Sequence, residues 1–186
     1  MSTIMDSLRQ DHRNFESLLQ VLQQEVAIFE RAERPDYEVL EALVGYFQSY
    51  PDSCHHPKED AVFEKLKQRD PAAAESVGSL EKEHAELADR LRNFASVVQK
   101  ALDEHVLPRE TFIEAARGFI EHEREHMRKE EETFFSAAEK ALQDEDWADL
   151  GMKLAYETDP LFAQQPAQEL AALRERIVEW ELVDQA

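Results

Sequence analysis

Apolar residues recur every three or four positions along four long stretches of the chain. In the first stretch they run from Ile4 to Phe29, and His12 fills the gap between Leu8 and Phe15. One apolar stripe at this spacing is typical of an amphipathic helix. The same spacing continues over residues 40–66, 77–101 and 112–137.

Short links between the four stretches predict an all-α fold, an up-down-up-down antiparallel four-helix bundle. Only 4 Gly and 7 Pro interrupt the 186 residues, which also favours helices. Within the second stretch, Pro51 and Pro57 predict a kink or local break close to His55. Asp70 and Pro71 then predict the N-cap and first residue of the third helix.

The pattern changes after the fourth stretch. A short helix is predicted to begin at Asp144, and Pro160 interrupts the chain before a further amphipathic segment. We therefore expect a bundle domain at residues 1–143 and a C-terminal helical extension at residues 144–186. The apolar side of its last helix comprises Leu170, Leu173, Ile177 and Trp180. This side is expected to pack on the bundle or on a second subunit, which would make a homodimer through the C-terminal helices.

Composition narrows the partners and the compartment. The 41 Asp and Glu residues against 21 Lys and Arg give a net charge of -20, which repels phosphate and anionic headgroups. Neither nucleic acid nor a membrane is expected as a partner. Cys54 is the only cysteine, so an intrachain disulfide or a thiolate zinc cluster is excluded. With no signal-peptide pattern and no apolar run of about 18 residues, we expect a cytoplasmic protein.

Histidine and glutamate occupy positions where the spacing predicts core. Two predicted helices carry a His-x-x-x-Glu pair on the core stripe, and the other two carry a single His. In chain order, the residues are His12, His55, Glu59, His84, His126 and Glu130. Residues four apart lie one turn apart on the same helix face, so each pair presents an imidazole and a carboxylate to one point. Counted from one end of the predicted bundle at about 1.5 Å per residue, all six residues lie at the same level to within roughly 10 Å.

Metal ions explain this constellation best. Buried carboxylates need a compensating cation, and no Lys or Arg lies on the stripes beside Glu59 or Glu130. Imidazole with carboxylate favours iron, manganese or zinc over copper(I) or calcium. Four His and two Glu are too many for one tetrahedral zinc but suit two metals bridged by the carboxylates. We predict two iron ions, with manganese or zinc as substitutes.

These motifs resemble the hemerythrin-like family, the HHE cation-binding domains. The stretches that carry the resemblance are Asp11-His12, Cys54 to Asp60, Glu83-His84, and His126 to Glu131 followed by Phe134-Phe135. Asp159 to Phe162 also resembles the C-terminal extension of longer bacterial members. The resemblance implies that the six residues hold a non-haem di-iron centre with an oxo or hydroxo bridge.

The sequence departs from the oxygen-carrying hemerythrins. The carriers have two His four apart on the third helix, whereas here Ala88 follows His84 at that step. On the fourth helix, the carriers use a five-residue step to Asp instead of His-x-x-x-Glu. One imidazole fewer leaves a more open metal, which favours reactivity, sensing or metal storage over oxygen carriage. His122, one turn before His126, is a candidate for the missing imidazole.

Neighbouring residues leave other interpretations open. Glu81 and Glu123 each lie three residues before a stripe His, the spacing of ferritin-like di-iron bundles. Those folds need a long crossover connection, so this alternative fits less well. Both glutamates remain candidates for orienting the His ligands. His56 is expected to face away from the metals or to make a supporting bond.

The predicted function is binding of O₂, NO or peroxide at an open di-iron site, in sensing, stress response or iron handling. An enzymatic alternative is turnover of peroxide or NO, or iron supply for iron-sulfur cluster repair. A third hypothesis is a metal-free helical interaction module. No nucleophile dyad or matched general base is visible, so no catalytic residue is predicted and enzymatic activity stays open.

Overall fold

A computed structural model of the chain describes residues 3–103, 108–154, 159–162 and 170–184. All regular elements in these ranges are helical, which confirms the all-α prediction. The α-helices are α1 (Thr3–Glu30), α2 (Tyr37–Phe47), α3 (His56–Arg69), α4 (Pro71–Val77), α5 (Leu80–Leu102), α6 (Arg109–Lys129), α7 (Ser136–Ala141), α8 (Asp144–Lys153) and α9 (Ala171–Asp184). Among them, α1 packs on α6, α6 on α5, α5 on α2, and α3 on α7.

The second predicted helix breaks where its prolines indicate. After α2, the chain forms a π-helical turn at Pro51–His55, and α3 continues directly from His56. Proline has no N–H to donate to the turn before it, so the wider π geometry accommodates Pro51 without a buried break in the chain. A π turn contains one residue more than an α-helical turn, so the side chains of α3 are rotated relative to those of α2. His55, at the end of the π turn, points into the interior and is only 2% exposed.

The predicted third helix is wrong as a single element, because the chain forms two helices there. Asp70 caps α4 as expected, since its side chain accepts from the backbone N–H of Ala73. The helix ends about two turns later at Gly78, whose φ of +93° is a conformation that favours glycine. Ser79 then caps α5 by accepting from the N–H of Lys82. Gly78 and Ser79 therefore interrupt the helix, although the apolar spacing continues across both residues.

The fourth predicted helix also contains a π-helical segment. α6 ends at Lys129, Glu130–Phe135 form the π segment, and α7 follows. The backbone from Arg109 to Ala141 is helical throughout. Each His-x-x-x-Glu pair therefore overlaps a π-helical segment. His55 is the last residue of the first segment, and Glu130 is the first residue of the second.

Two apolar clusters lie on either side of a polar layer. Phe15 belongs to one cluster and Leu8 to the other, and His12 lies between them on α1. The His12 ring stacks on Phe135 at 5.1 Å between centroids, and the His55 ring meets Phe15 edge-on at 5.0 Å. The polar residues of this layer are therefore enclosed by aromatic and aliphatic side chains, which keep water away from them.

The C-terminal residues that the structure describes pack on the other helices. α8 contacts α1 and α3, and α9 contacts α1 and α2. Leu161, Leu173 and Ile177 are fully buried within the cluster that contains Phe15. The side chain of Trp180 lies outside the described residues, and a homodimer stays a prediction. Within the described ranges, no helix combines the length and the apolar character needed to cross a membrane.

Candidate metal centre

The structure brings all six predicted residues to one place, in two overlapping groups. In each group, one potential ligand atom per residue lies within 4.8 Å of all the others. The first group is His12, His55, Glu59 and Glu130, and the second is His56, Glu59, His84 and His126. His56 is an addition that the sequence analysis did not expect. His122, the candidate for the missing imidazole, belongs to neither group found among the described residues.

Glu59 faces both groups with different oxygens. Its Oε1 lies 3.3 Å from Nε2 of His55, in the first group. Its Oε2 lies 3.4 Å from Nε2 of His84, in the second. The carboxylate is completely buried, and the effect of burial on its pKa is outweighed by the neighbouring His55, so the pKa falls well below its usual value. Glu59 is therefore an anion placed between two sets of imidazoles.

Glu130 repeats this arrangement from the opposite side. Its Oε2 lies 3.4 Å from Nε2 of His12, and its Oε1 lies 3.2 Å from Nε2 of His126. Burial and the nearby charge of Glu59 raise the pKa of Glu130. Two adjacent buried carboxylates repel each other unless positive charge lies between them.

Bound metal would satisfy atoms that have no other partner. Among the described residues, seven buried atoms of this site form no hydrogen bond: Nε2 of His12, His84 and His126, and both carboxylate oxygens of Glu59 and Glu130. Such atoms are rare in folded proteins because each costs free energy when it loses water. Two ligands bound at about 2.1 Å to one metal lie about 3.0 to 3.4 Å apart, close to the nitrogen–oxygen separations here. The residues therefore fit metal ions in number, chemistry and spacing.

In the absence of a metal, the buried carboxylates favour the protonated form of neighbouring imidazoles. Burial opposes the charge on His55, but Glu59 outweighs it and raises the pKa of His55 to about 10. Burial is likewise outweighed at His84, where Glu130 and Glu59 raise the pKa to about 10. At His126, burial and the adjacent His84 lower the pKa to about 3. Metal binding to such a site displaces the protons, because a metal needs the imidazole lone pair.

Asp11 orients the ring of His55. The Nδ1 of His55 donates to Asp11 Oδ2 at 3.1 Å, which leaves Nε2 directed at Glu59. The phenol of Tyr50 donates to Asp11 Oδ1, and the ammonium of Lys58 donates to Oδ2 at 3.2 Å. Lys58 is thus a buried cation beside the site, which the sequence pattern did not predict. Its partner is Asp11 and not Glu59.

Two further carboxylates hold imidazoles in the same way. The Nδ1 of His12 donates to Glu131 Oε1 at 3.0 Å. The Nδ1 of His126 donates to Glu83 Oε2 at 3.5 Å, and Glu83 also pairs with Lys129. A carboxylate on Nδ1 fixes the tautomer and makes Nε2 the metal-binding atom.

The expectation that Glu81 and Glu123 orient the histidines is wrong. Glu81 is exposed, and neither residue hydrogen-bonds an imidazole among the described residues. The orienting acids are instead Asp11, Glu83 and Glu131. Each is the immediate sequence neighbour of a predicted ligand, which is the signal that the sequence offered. Each nevertheless serves a ligand on a different helix, because side chains one position apart on a helix point in different directions.

A small cavity adjoins the second group. Its volume is about 30 Å³, roughly that of one water molecule, and its lining includes His56, His84 and Ala88. Ala88 is the position where the oxygen carriers have a second histidine, and its methyl group leaves this space open. Glu123 also lines the cavity, and burial raises the pKa of Glu123 to about 7.

The fold and the site together define a helical metal-binding domain with a buried histidine and carboxylate centre. The sequence profile of the hemerythrin HHE cation binding domain matches residues 3–138. The chain belongs to this family, which confirms the resemblance and favours it over the ferritin-like alternative. No match was found among curated proteins or among solved structures.

Proposed function

We propose that this protein is a non-haem di-iron protein that binds O₂, NO or peroxide at an open iron position, in sensing, stress response or iron handling. The observation that carries the proposal is the placement of Glu59 and Glu130, each of which directs one oxygen to each group of imidazoles. A carboxylate in that position bridges two metals. One metal would leave half of these oxygens unpaired.

We also infer the arrangement around the centre. Residues 1–143 form the up-down-up-down bundle that carries the site, and residues 144–186 form an extension packed on it. The single cysteine supports a reducing compartment such as the cytoplasm.

The ligand set divides between the two metals. His12 and His55 would hold the first, His84 and His126 would hold the second, and Glu59 and Glu130 would each offer one oxygen to both. Bound iron supplies a Lewis-acidic, redox-active centre that accepts small ligands. The chain itself orients the imidazoles through carboxylates and encloses the centre in apolar side chains. Ala88 lines the small cavity next to the second group, through which an external ligand would reach the second metal.

Glu123 supports the enzymatic alternative. Its carboxyl lines the cavity, and burial favours the protonated, proton-donating form of this group in the metal-free protein. Turnover of peroxide or NO needs such a proton, whereas reversible binding does not. Steady-state consumption of either substrate by the iron-loaded protein distinguishes the two. The metal-free module is disfavoured, because it leaves the seven buried atoms unpaired.

Metal content tests the proposal most directly. Protein purified without oxygen and supplied with iron(II) is expected to contain about two irons per chain, as a carboxylate-bridged pair requires. Exposure to air is expected to produce ligand-to-metal charge-transfer bands that respond to azide or NO. His55→Ala and Glu130→Ala should lose both the iron and the bands. His122→Ala is the matched control, because His122 lies on the same helix as His126 but outside both groups.

Two results would contradict the proposal. Zinc alone, or no metal after iron reconstitution, in wild-type protein with native helix content would reject the di-iron proposal. Iron binding that survives Glu130→Ala unchanged would reject the bridging role of that carboxylate.

A further inference from the structure

We propose that His56 is a further metal ligand, which supplies a third imidazole to the second metal beside His84 and His126. The inference rests on the dinuclear centre proposed above. A ligand atom of His56 lies within 4.8 Å of those of Glu59, His84 and His126. No other described histidine outside the six predicted residues joins either group.

The hydrogen bonding of His56 matches that of the predicted ligands. Its Nδ1 donates to Asp52 Oδ1 at 3.0 Å. His55 has the same arrangement with Asp11, and His12 has it with Glu131. In each case a carboxylate takes Nδ1, and Nε2 is left to bind a metal.

The π turn explains how two consecutive histidines serve two metals. Side chains of adjacent residues diverge by about 100° around a helix, so both cannot point at one metal. His55 ends the π turn and joins the first group, while His56 begins α3 and joins the second. Their ring centroids are 5.7 Å apart, and the two rings are tilted by 60°. The junction therefore directs one imidazole to each metal.

The surroundings of His56 are those of the second group. Its ring stacks on His84 with 3.9 Å between centroids and an angle of 15°. It also lines the same cavity as His84 and Ala88. The third imidazole thus comes from the start of α3, whereas His84 lies on α5. The cavity adjoins the imidazole of His56, so an external ligand that enters it would compete with His56 for the second metal.

Four full-length proteins test this inference: wild type, His56→Ala, His56→Phe and His122→Ala. Each is loaded with cobalt(II), whose visible absorption grows stronger when a six-coordinate ion loses a ligand, and is then titrated with azide. Both His56 variants are expected to keep both metals, absorb more strongly and bind azide about tenfold more tightly, because an intramolecular competitor is gone. His122→Ala should match wild type. The phenyl ring of His56→Phe keeps the stacking on His84, so a purely stacking role predicts a wild-type spectrum for that variant.

The two proposals fail in different ways. If wild type takes up only one metal, the dinuclear centre is rejected whatever His56 does. If wild type binds two metals and both His56 variants retain its spectrum and azide affinity, His56 is not a ligand. Loss of one metal in both variants, with helix content retained, supports ligation. X-ray absorption of loaded wild type needs no variant to fold: about five imidazoles per metal pair support the inference, and about four overturn it.

Discussion

Asp11 shows how one buried side chain fixes the geometry of the site. It accepts from His55, Lys58 and Tyr50, three donors that lie on or beside the second predicted helix. Burial favours the neutral carboxyl, but His55 and Lys58 outweigh it and lower the pKa of Asp11. The carboxylate therefore stays charged, holds Nδ1 of His55 and strengthens its Nε2 as a ligand.

Asp11→Asn should weaken metal binding about 10- to 100-fold, as is usual when a carboxylate behind a metal-bound histidine is replaced. The amide keeps the shape of the side chain but carries no charge to hold the imidazole and the ammonium together. Competition with a chromophoric chelator measures the metal dissociation constant. Asp6→Asn, on an exposed position of the same helix, should leave it unchanged. Equal affinity in Asp11→Asn and wild type would contradict an orienting role.

The sequence predicts the candidate metal ligands better than it predicts the carboxylates that orient them. His12 and Glu59 are visible because each occupies a place that the apolar spacing reserves for core. Asp11 is visible only as the neighbour of His12, and its contact with His55 depends on how two helices pack. His56 could not be predicted for a similar reason, since a regular helix would turn it away from the site.

At the scale of elements, the two π turns account for the main local departures from regular helices. Pro51 signals the first, because a proline removes a donor from the helix interior. Nothing comparable marks Glu130–Phe135, whose residues are all compatible with an α-helix. π segments are common at functional sites, and here both adjoin residues that face the proposed metals. A periodic pattern detects a helix but not one extra residue in one of its turns.

The break at Gly78 makes a prediction at the same scale. Its φ of +93° and ψ of -149° lie in a region that is essentially restricted to glycine. Gly78→Ala should therefore lower the free energy of unfolding by about 1 to 3 kcal/mol, although a Cβ there meets no atom within 4 Å. Urea denaturation followed by circular dichroism measures the change.

Gly45→Ala is the matched control for this substitution. Gly45 lies inside α2, and a Cβ there also meets no atom within 4 Å. Alanine is the better helix former, so this variant should gain about 0.5 to 1 kcal/mol. The same chemical change thus has opposite signs at two positions that differ in backbone conformation. A gain in stability at Gly78 would mean that the chain leaves this conformation without cost.

At the scale of the whole molecule, a polar chain links the C-terminal residues to the site. Asp159 accepts from the phenol of Tyr46 at 2.7 Å and from the amide of Asn14 at 3.0 Å. Tyr46 stacks on Tyr50 with 5.4 Å between centroids, and Tyr50 donates to Asp11. No local pattern predicts the two hydrogen bonds of Asp159, because Tyr46 and Asn14 lie more than 100 positions before it in the chain. They indicate that the C-terminal residues belong to the same packed structure as the site.

Substitutions at Leu173 and Val178, both on α9, test whether the C-terminal residues share a core with the other helices. Leu173 is completely buried in the cluster that contains Phe15, whereas Val178 is 47% exposed. Leu173→Ala should cost about 2 to 5 kcal/mol, because it leaves a cavity in a close-packed interior. Val178→Ala should change stability by less than about 0.5 kcal/mol. Urea unfolding of the full chain should show one transition, shifted as a whole by Leu173→Ala, since α9 shares its core with α1 and α2. A separate early transition for the last helix, with the remainder unaffected, would instead make α9 an independent appendage.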